Sequence, residues 1–180
     1  GSWLSLNGGN VLDAAGTAVL TLGGDVTSGG TGASQIFPSV NLGGATRVFT
    51  VADAQQGTDL TTVSAISNGG INKVGSGTLL LSGANTFAGG LSLNDGEVVF
   101  DGNTSAGTGT LTLNTGAVRA AISARTLANP VSLGGDTTIG GSLNITFSGP
   151  TSLDDDHTLT FTNTGLTTFS GVMAQGNAQP

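Results

Sequence analysis

Leucine recurs every twenty residues at Leu93, Leu113, Leu133 and Leu153, and Met173 falls one further interval along. A second series, Leu79, Val98, Val118, Ile139 and Leu159, advances by nineteen to twenty-one. Two apolar columns with one shared period mean that the chain returns to the same lateral position once per repeat, each repeat burying its apolar side against the next. Short alternating runs lie along these columns, among them Thr78 to Leu81, Leu91 to Leu93, Val98 to Phe100 and Thr110 to Leu113, with Gly and Asn between them. Period-two runs bounded by turn residues read as strands, and no window holds the i, i+3, i+4, i+7 spacing of a capped helix. The expected fold is all-β: a right-handed parallel β-helix, a single-stranded solenoid winding at about 20 residues per coil. Stacked at about 4.8 Å, roughly nine turns make a rod about 43 Å long.

Composition restricts what fills and covers such a rod. Only 4% of residues are aromatic and none is tyrosine, so the interior is aliphatic, with seven phenylalanines as the larger fillers. A charged fraction of 8% would suggest disorder if apolar residues were also scarce, but they make up 37%, and the mean hydropathy is positive. The surface is left to Thr, Ser, Asn and Gly. Net charge is −7 and Arg47, Lys73, Arg119 and Arg125 are the only cationic side chains, which excludes nucleic acid as a partner because phosphate binding needs several such charges. There is no apolar run long enough to insert this segment in a membrane as a helix. The absence of cysteine removes disulfides and thiolate metal sites.

The N-terminal third is less regular. Leu20, Val40 and Leu60 keep the twenty-residue interval, but the Gly/Ser/Thr-rich stretch 27–38 reads as a loop inserted in one coil, and 53–59 as a second. Residues 1–180 are expected to form one β-helix segment cut from a longer chain.

Within 71–102 the spacing tightens into a motif: Lys73-x-Gly75-x-Gly77-Thr78-Leu79-x-Leu81-x-Gly83-x-Asn85-x-Phe87-x-Gly89-Gly90. Glycines 75, 77, 83, 89 and 90 suit corners where positive φ or a close neighbouring coil excludes a Cβ. Leu79 and Leu81 are expected inside and Thr78 outside, while Asn85 turns the chain and stacks as a side-amide ladder. This motif resembles the autotransporter-associated β-strand repeat of bacterial secreted passenger proteins. The resemblance implies a non-catalytic stalk or adhesive surface, exported through an outer-membrane β-barrel elsewhere in the full protein. It places the segment outside the cell or on the outer surface of a Gram-negative bacterium. Its expected partners are adjoining coils of the same chain, further copies of itself, or a host or surface glycan or protein, and no cofactor is implied.

The one concentration of ionisable groups is Asp154-Asp155-Asp156-His157. Asp154, Asp155 and Asp156 are weak candidates for a calcium site or for the carboxylates of a carbohydrate-active β-helix enzyme. Consecutive residues in one turn diverge, whereas metal or acid–base work needs oxygens converging from neighbouring coils. An enzyme would be favoured if these carboxylates shared a groove with Arg119 or Arg125. Nucleophile-elbow, zinc-protease and phosphate-loop patterns are missing, so no catalytic residue is assigned. Alternating threonines at 108, 110 and 112 and at 158, 160, 162 and 164 resemble an ice-binding array, but the intervening coil breaks the pattern. They read as outward strand formers.

Overall fold

A computed structural model describes residues 3–154 and 156–175. Among these residues every regular element is a strand, all ladders are parallel, and the chain winds as a β-solenoid of about eight coils of about 21 residues. One long face stacks strands from Leu4–Asn7 through Leu91–Leu93, Leu111–Leu113 and Val131–Leu133 to Met173–Gln175. A second runs from Asn10–Val11 through Thr78–Leu81, Glu97–Phe100 and Gly116–Ala120 to Leu159–Phe161. The third side carries Arg125–Leu127, Ile145–Phe147 and Thr167–Phe169. In the earlier coils, the long strands Ser39–Val51 and Ile66–Val74 run around the corner onto the first face, with an irregularity between Asn41 and Ala45.

Side chains alternate along each strand, so the inward set of each coil lands on that of the next. On the first face the inward column is Leu4, Val26, Phe49, Lys73, Leu93, Leu113, Leu133, Leu153 and Gln175. On the second face Leu60, Leu79, Val98, Val118 and Ile139 stack in the same way and end on Phe161. One apolar cluster follows the axis from Leu6 to Phe147, with Leu93, Leu113, Val98 and Val118 fully buried. At about 2–3 kcal/mol per fully buried Leu or Phe, this column is the main source of cohesion.

Four sequence expectations are displaced. Met173 stacks on Thr151, and Gln175 takes the place above Leu153; likewise Phe161, and not Leu159, stacks on Ile139. Both shifts have one cause. The turn after Leu153 is two residues longer than the one after Leu133, since Thr137 pairs with Leu159 while Leu133 pairs with Leu153. The extra residues fall in the acidic run, and Leu153 and Met173 are exposed where Leu93, Leu113 and Leu133 are buried. Leu60 belongs to the second face, not to the column of Leu20 and Val40. The stretch 27–38 is not one continuous loop: residues 27–29 and 34–36 lie in the strands Val26–Gly29 and Ser34–Ile36, and the irregular connection between them is 30–33. There Ser28 and Ser34 point inward beside Val26 and Ile36, so small hydroxyl residues occupy core positions that composition assigns to a loop. A real excursion lies earlier, where the Asp13 carboxylate accepts hydrogen bonds from the amides of Ala15, Gly16 and Ala18.

Candidate functional site

The most elaborated site lies at the corner between the first and second faces in the coil of Lys73. Alternation along Ile66–Val74 sends Ile71 and Lys73 inward together, and Lys73 sits between Phe49 and Leu93 with no exposed surface. A lysine in an apolar column is tolerated only if its ammonium finds acceptors. Its Nζ donates to the carbonyls of Val74 (3.2 Å), Gly75 (2.6 Å) and, in the next coil, Asp95 (3.0 Å), so all three protons are placed. The close fit depends on Gly96: at its φ of +72° a Cβ would meet Nζ and the carbonyls of Gly75 and Gly77. Burial lowers the ammonium pKa from 10.5 to about 8, against the opposing pull of Asp95 and then Asp59.

Asp59, itself buried, braces the same corner from the preceding coil. Its carboxylate accepts the amides of Ala54 (2.9 Å) and Thr78 (2.7 Å). Asn85 is buried and bridges three successive coils: its Oδ1 accepts the Ile66 amide at 2.7 Å and its Nδ2 donates to the Ser105 carbonyl at 2.6 Å. The side-amide ladder expected at Asn85 is built elsewhere. It runs along the outer surface, Asn114 donating to Asn94 (2.7 Å) and Asn94 to Asn72 (2.6 Å). Leu79, Leu81 and Phe87 are fully buried, and Thr78 is half-buried. Gly75 and Gly90 have positive φ, whereas Gly77, Gly83 and Gly89 lie too close to the preceding coil for a Cβ.

Lys73, Asn85 and the glycine corners all fall within one coil and a half whose strands pair in register with coils on both sides. Residues 71–100 match the family model of the passenger-associated-transport-repeat. The match and the solenoid together fit an autotransporter passenger repeat protein. No curated protein and no solved structure matches the chain. In the repeat the buried polar groups serve cohesion: each hydrogen bond from Lys73 to Asp95 or from Asn85 to Ser105 ties one coil to the next.

The remaining candidates are dispersed. Asp154 is half-buried and accepts a hydrogen bond from the Ser132 hydroxyl at 2.8 Å; Asp156 is exposed, and Asp155 lies outside the described residues. Among the described residues no three His, Cys, Asp or Glu side chains converge as metal ligands. Arg119 pairs with Glu97 (3.0 Å) and Arg125 with Asp101 (2.7 Å), each reaching back one coil, so neither is joined to the acidic run. His157 faces Asp136 at 4.0 Å. Thr112 stacks between Ser92 and Ser132, while Thr160 and Thr138 continue to Ala117 and Glu97, so the threonines form no unbroken array.

Proposed function

We propose that this segment is a non-catalytic structural or adhesive part of a secreted or surface-displayed bacterial passenger, acting as a rigid stalk or interaction surface outside a Gram-negative cell. The observation that carries this reading is the repeat at 71–100, spliced in register into a solenoid that continues on both sides of it. A continuous axial core resists bending because every coil hydrogen-bonds its neighbours on more than one face. Cross-coil hydrogen bonds engage all four cationic side chains, including Arg47, which donates to the Leu22 carbonyl at 2.7 Å. With every cation so engaged, the outer surface is mainly hydroxyl- and amide-bearing and carries net negative charge, suited to hydrogen-bonding a glycan or a protein surface rather than a polyanion. An antibody raised against this segment tests the reading. It should label intact cells expressing the full parent chain, and labelling should vanish when cells are treated with an external protease broad enough to degrade the passenger. Label appearing only after the cells are broken would overturn it.

A further inference from the structure

The third side of the solenoid starts late. Among the described residues its first strand, Arg125–Leu127, pairs only with Ile145–Phe147, because the coil before it has no strand at this position and folds 101–107 into two tight turns. The Gly102 carbonyl accepts the Ser105 amide (3.3 Å) and the Thr104 carbonyl the Gly107 amide (3.0 Å), with Gly107 at φ +70° and the Phe87 ring too close to admit a Cβ there. These turns are pinned from both sides. Asn85 of the preceding coil donates to the Ser105 carbonyl (2.6 Å), and Asn129 of the following coil, only 5% exposed, donates through Nδ2 to the carbonyls of Gly107 (3.1 Å) and Gly109 (2.7 Å). Between the turns and the strand edge lies a cleft of about 210 Å³, lined by Asn103, Thr104, Gly107, Thr108, Ala128 and Asn129. We propose that this cleft binds one neutral sugar unit of a glycan.

The lining selects the ligand. None of the six residues is charged, and Arg125, on the strand at the edge of the cleft, is already held by Asp101 (2.7 Å) and Ser123 (2.7 Å), so neither a metal ion nor an acidic group finds a counter-charge here. The polar groups offer donors and acceptors together. Asn103 accepts the Thr126 amide on Oδ1 at 3.0 Å, which leaves both Nδ2 protons to donate. Asn129, its Nδ2 committed, keeps an Oδ1 that accepts no hydrogen bond among the described residues and is not sealed from solvent. Thr104 adds an exposed hydroxyl, and the Thr108 hydroxyl is held only by the Phe87 carbonyl at 3.5 Å. Sugar hydroxyls, which both donate and accept, satisfy such a set, and the small residues Gly107 and Ala128 leave room for a ring face. The volume lies below the roughly 300 Å³ at which sites for drug-sized ligands begin, so one ring fits and not several. A peptide strand is the rival occupant of a sheet edge, but Asn103 already takes the Thr126 amide that a strand would need. Because the turns are pinned, little ordering is required on binding. The inference rests on the reading of this segment as an interaction surface and names the place and the ligand class.

Titration of the 180-residue chain with the methyl glycosides of glucose, galactose, mannose and N-acetylglucosamine, followed by NMR, tests the cleft. At least one glycoside should shift the Asn103 and Asn129 side-chain amides and the Thr104, Thr108 and Ala128 backbone signals, saturating in the millimolar range, while sialic acid, which carries a carboxylate, should shift none of them. Asn103→Ala removes two donors and should weaken binding about tenfold, the equivalent of one hydrogen bond. Since it also uncaps the Thr126 amide, Thr104→Ala serves as a second variant that leaves the cap intact and should weaken binding several-fold. Thr112→Ala, on the first face, should bind as the unaltered chain does. Absence of saturable shifts with all four glycosides would overturn the proposal. So would unchanged affinity in both cleft variants, weakened binding in Thr112→Ala, equal binding of sialic acid, or a Gly/Ser peptide that shifts the Thr126 amide where the sugars do not. Each of these results would strike the cleft alone, since surface display is tested separately by antibody labelling of intact cells.

Discussion

Lys73 makes the stability of this protein depend on alkaline pH in an unusual direction. It is the only lysine, and the chain has neither tyrosine nor cysteine, so no other side chain titrates between neutrality and the arginine range. With the folded pKa lowered from 10.5 to about 8, the folded and unfolded states are both protonated below pH 8, and folding carries the cost of the buried charge. Between about 8 and 10.5 the unfolded chain holds the proton that the folded chain has released, so stability rises with pH. At about 1.4 kcal/mol per pH unit the full gain is about 3 kcal/mol, complete above 10.5. Urea titrations from pH 7 to 11 measure it directly. With a slope of about 2 kcal/mol per molar, the midpoint should climb by about 1.5 M across that interval. Lys73→Met should flatten the curve. A midpoint that falls with pH would refute the reasoning, because it would mean that the carbonyls of Val74, Gly75 and Asp95 hold the ammonium more strongly than burial penalises it. An undiminished rise in Lys73→Met would assign the effect to another group.

Four further substitutions probe one strand, the core and one corner. Leu113→Asp places a carboxylate in the fully buried column and should cost several kcal/mol or the fold, whereas Thr112→Asp on the outer side should change stability by no more than about 0.5 kcal/mol; comparable melting temperatures for the two would refute the inward assignment. The Thr151 hydroxyl is buried without a hydrogen-bond partner among the described residues, so Thr151→Val should stabilise by about 1 kcal/mol in chemical denaturation, and a loss of similar size would reveal a partner. Ile122 is exposed and held at φ +61°, which a β-branched residue resists, so Ile122→Asn should raise stability by about 1 kcal/mol; an unchanged or lower melting temperature would show that the corner is not strained.

Much of this architecture can be read from spacing alone, because parallel stacking turns a spatial neighbour into a fixed sequence interval. Leu93, Leu113 and Leu133 share the core for that reason, and the same interval carried one step back reaches Lys73. The signal for a buried lysine was therefore present, but residue type argued against it, since the three carbonyls that satisfy Nζ belong to corners that spacing does not describe. Asp59 left no comparable trace, as its partners Ala54 and Thr78 are recognisable only once the turn is folded. A constant interval also failed where a turn lengthened. Two extra residues after Leu153 carried Met173 and Leu159 out of their columns, and a hydrophobic residue at the expected number disguised the slip. In 27–38, Ser28 and Ser34 fill inward positions, so no apolar alternation marked the strands.

The coil-on-coil register is tested most directly by engineered disulfides, which the cysteine-free chain permits without background. Ser92 and Thr112 are paired neighbours on adjacent coils, at a strand separation of about 4.8 Å that a disulfide spans. Near the last coil the structure pairs Ser152 with Ala174, whereas an unbroken twenty-residue interval would pair it with Val172. Oxidation should cross-link the cysteine pairs 92/112 and 152/174 efficiently, and leave 152/172 open, as read by mobility on non-reducing gels. Failure of 92/112 would contradict the stacked solenoid itself, and cross-linking of 152/172 in preference to 152/174 would contradict the lengthened turn at the acidic run.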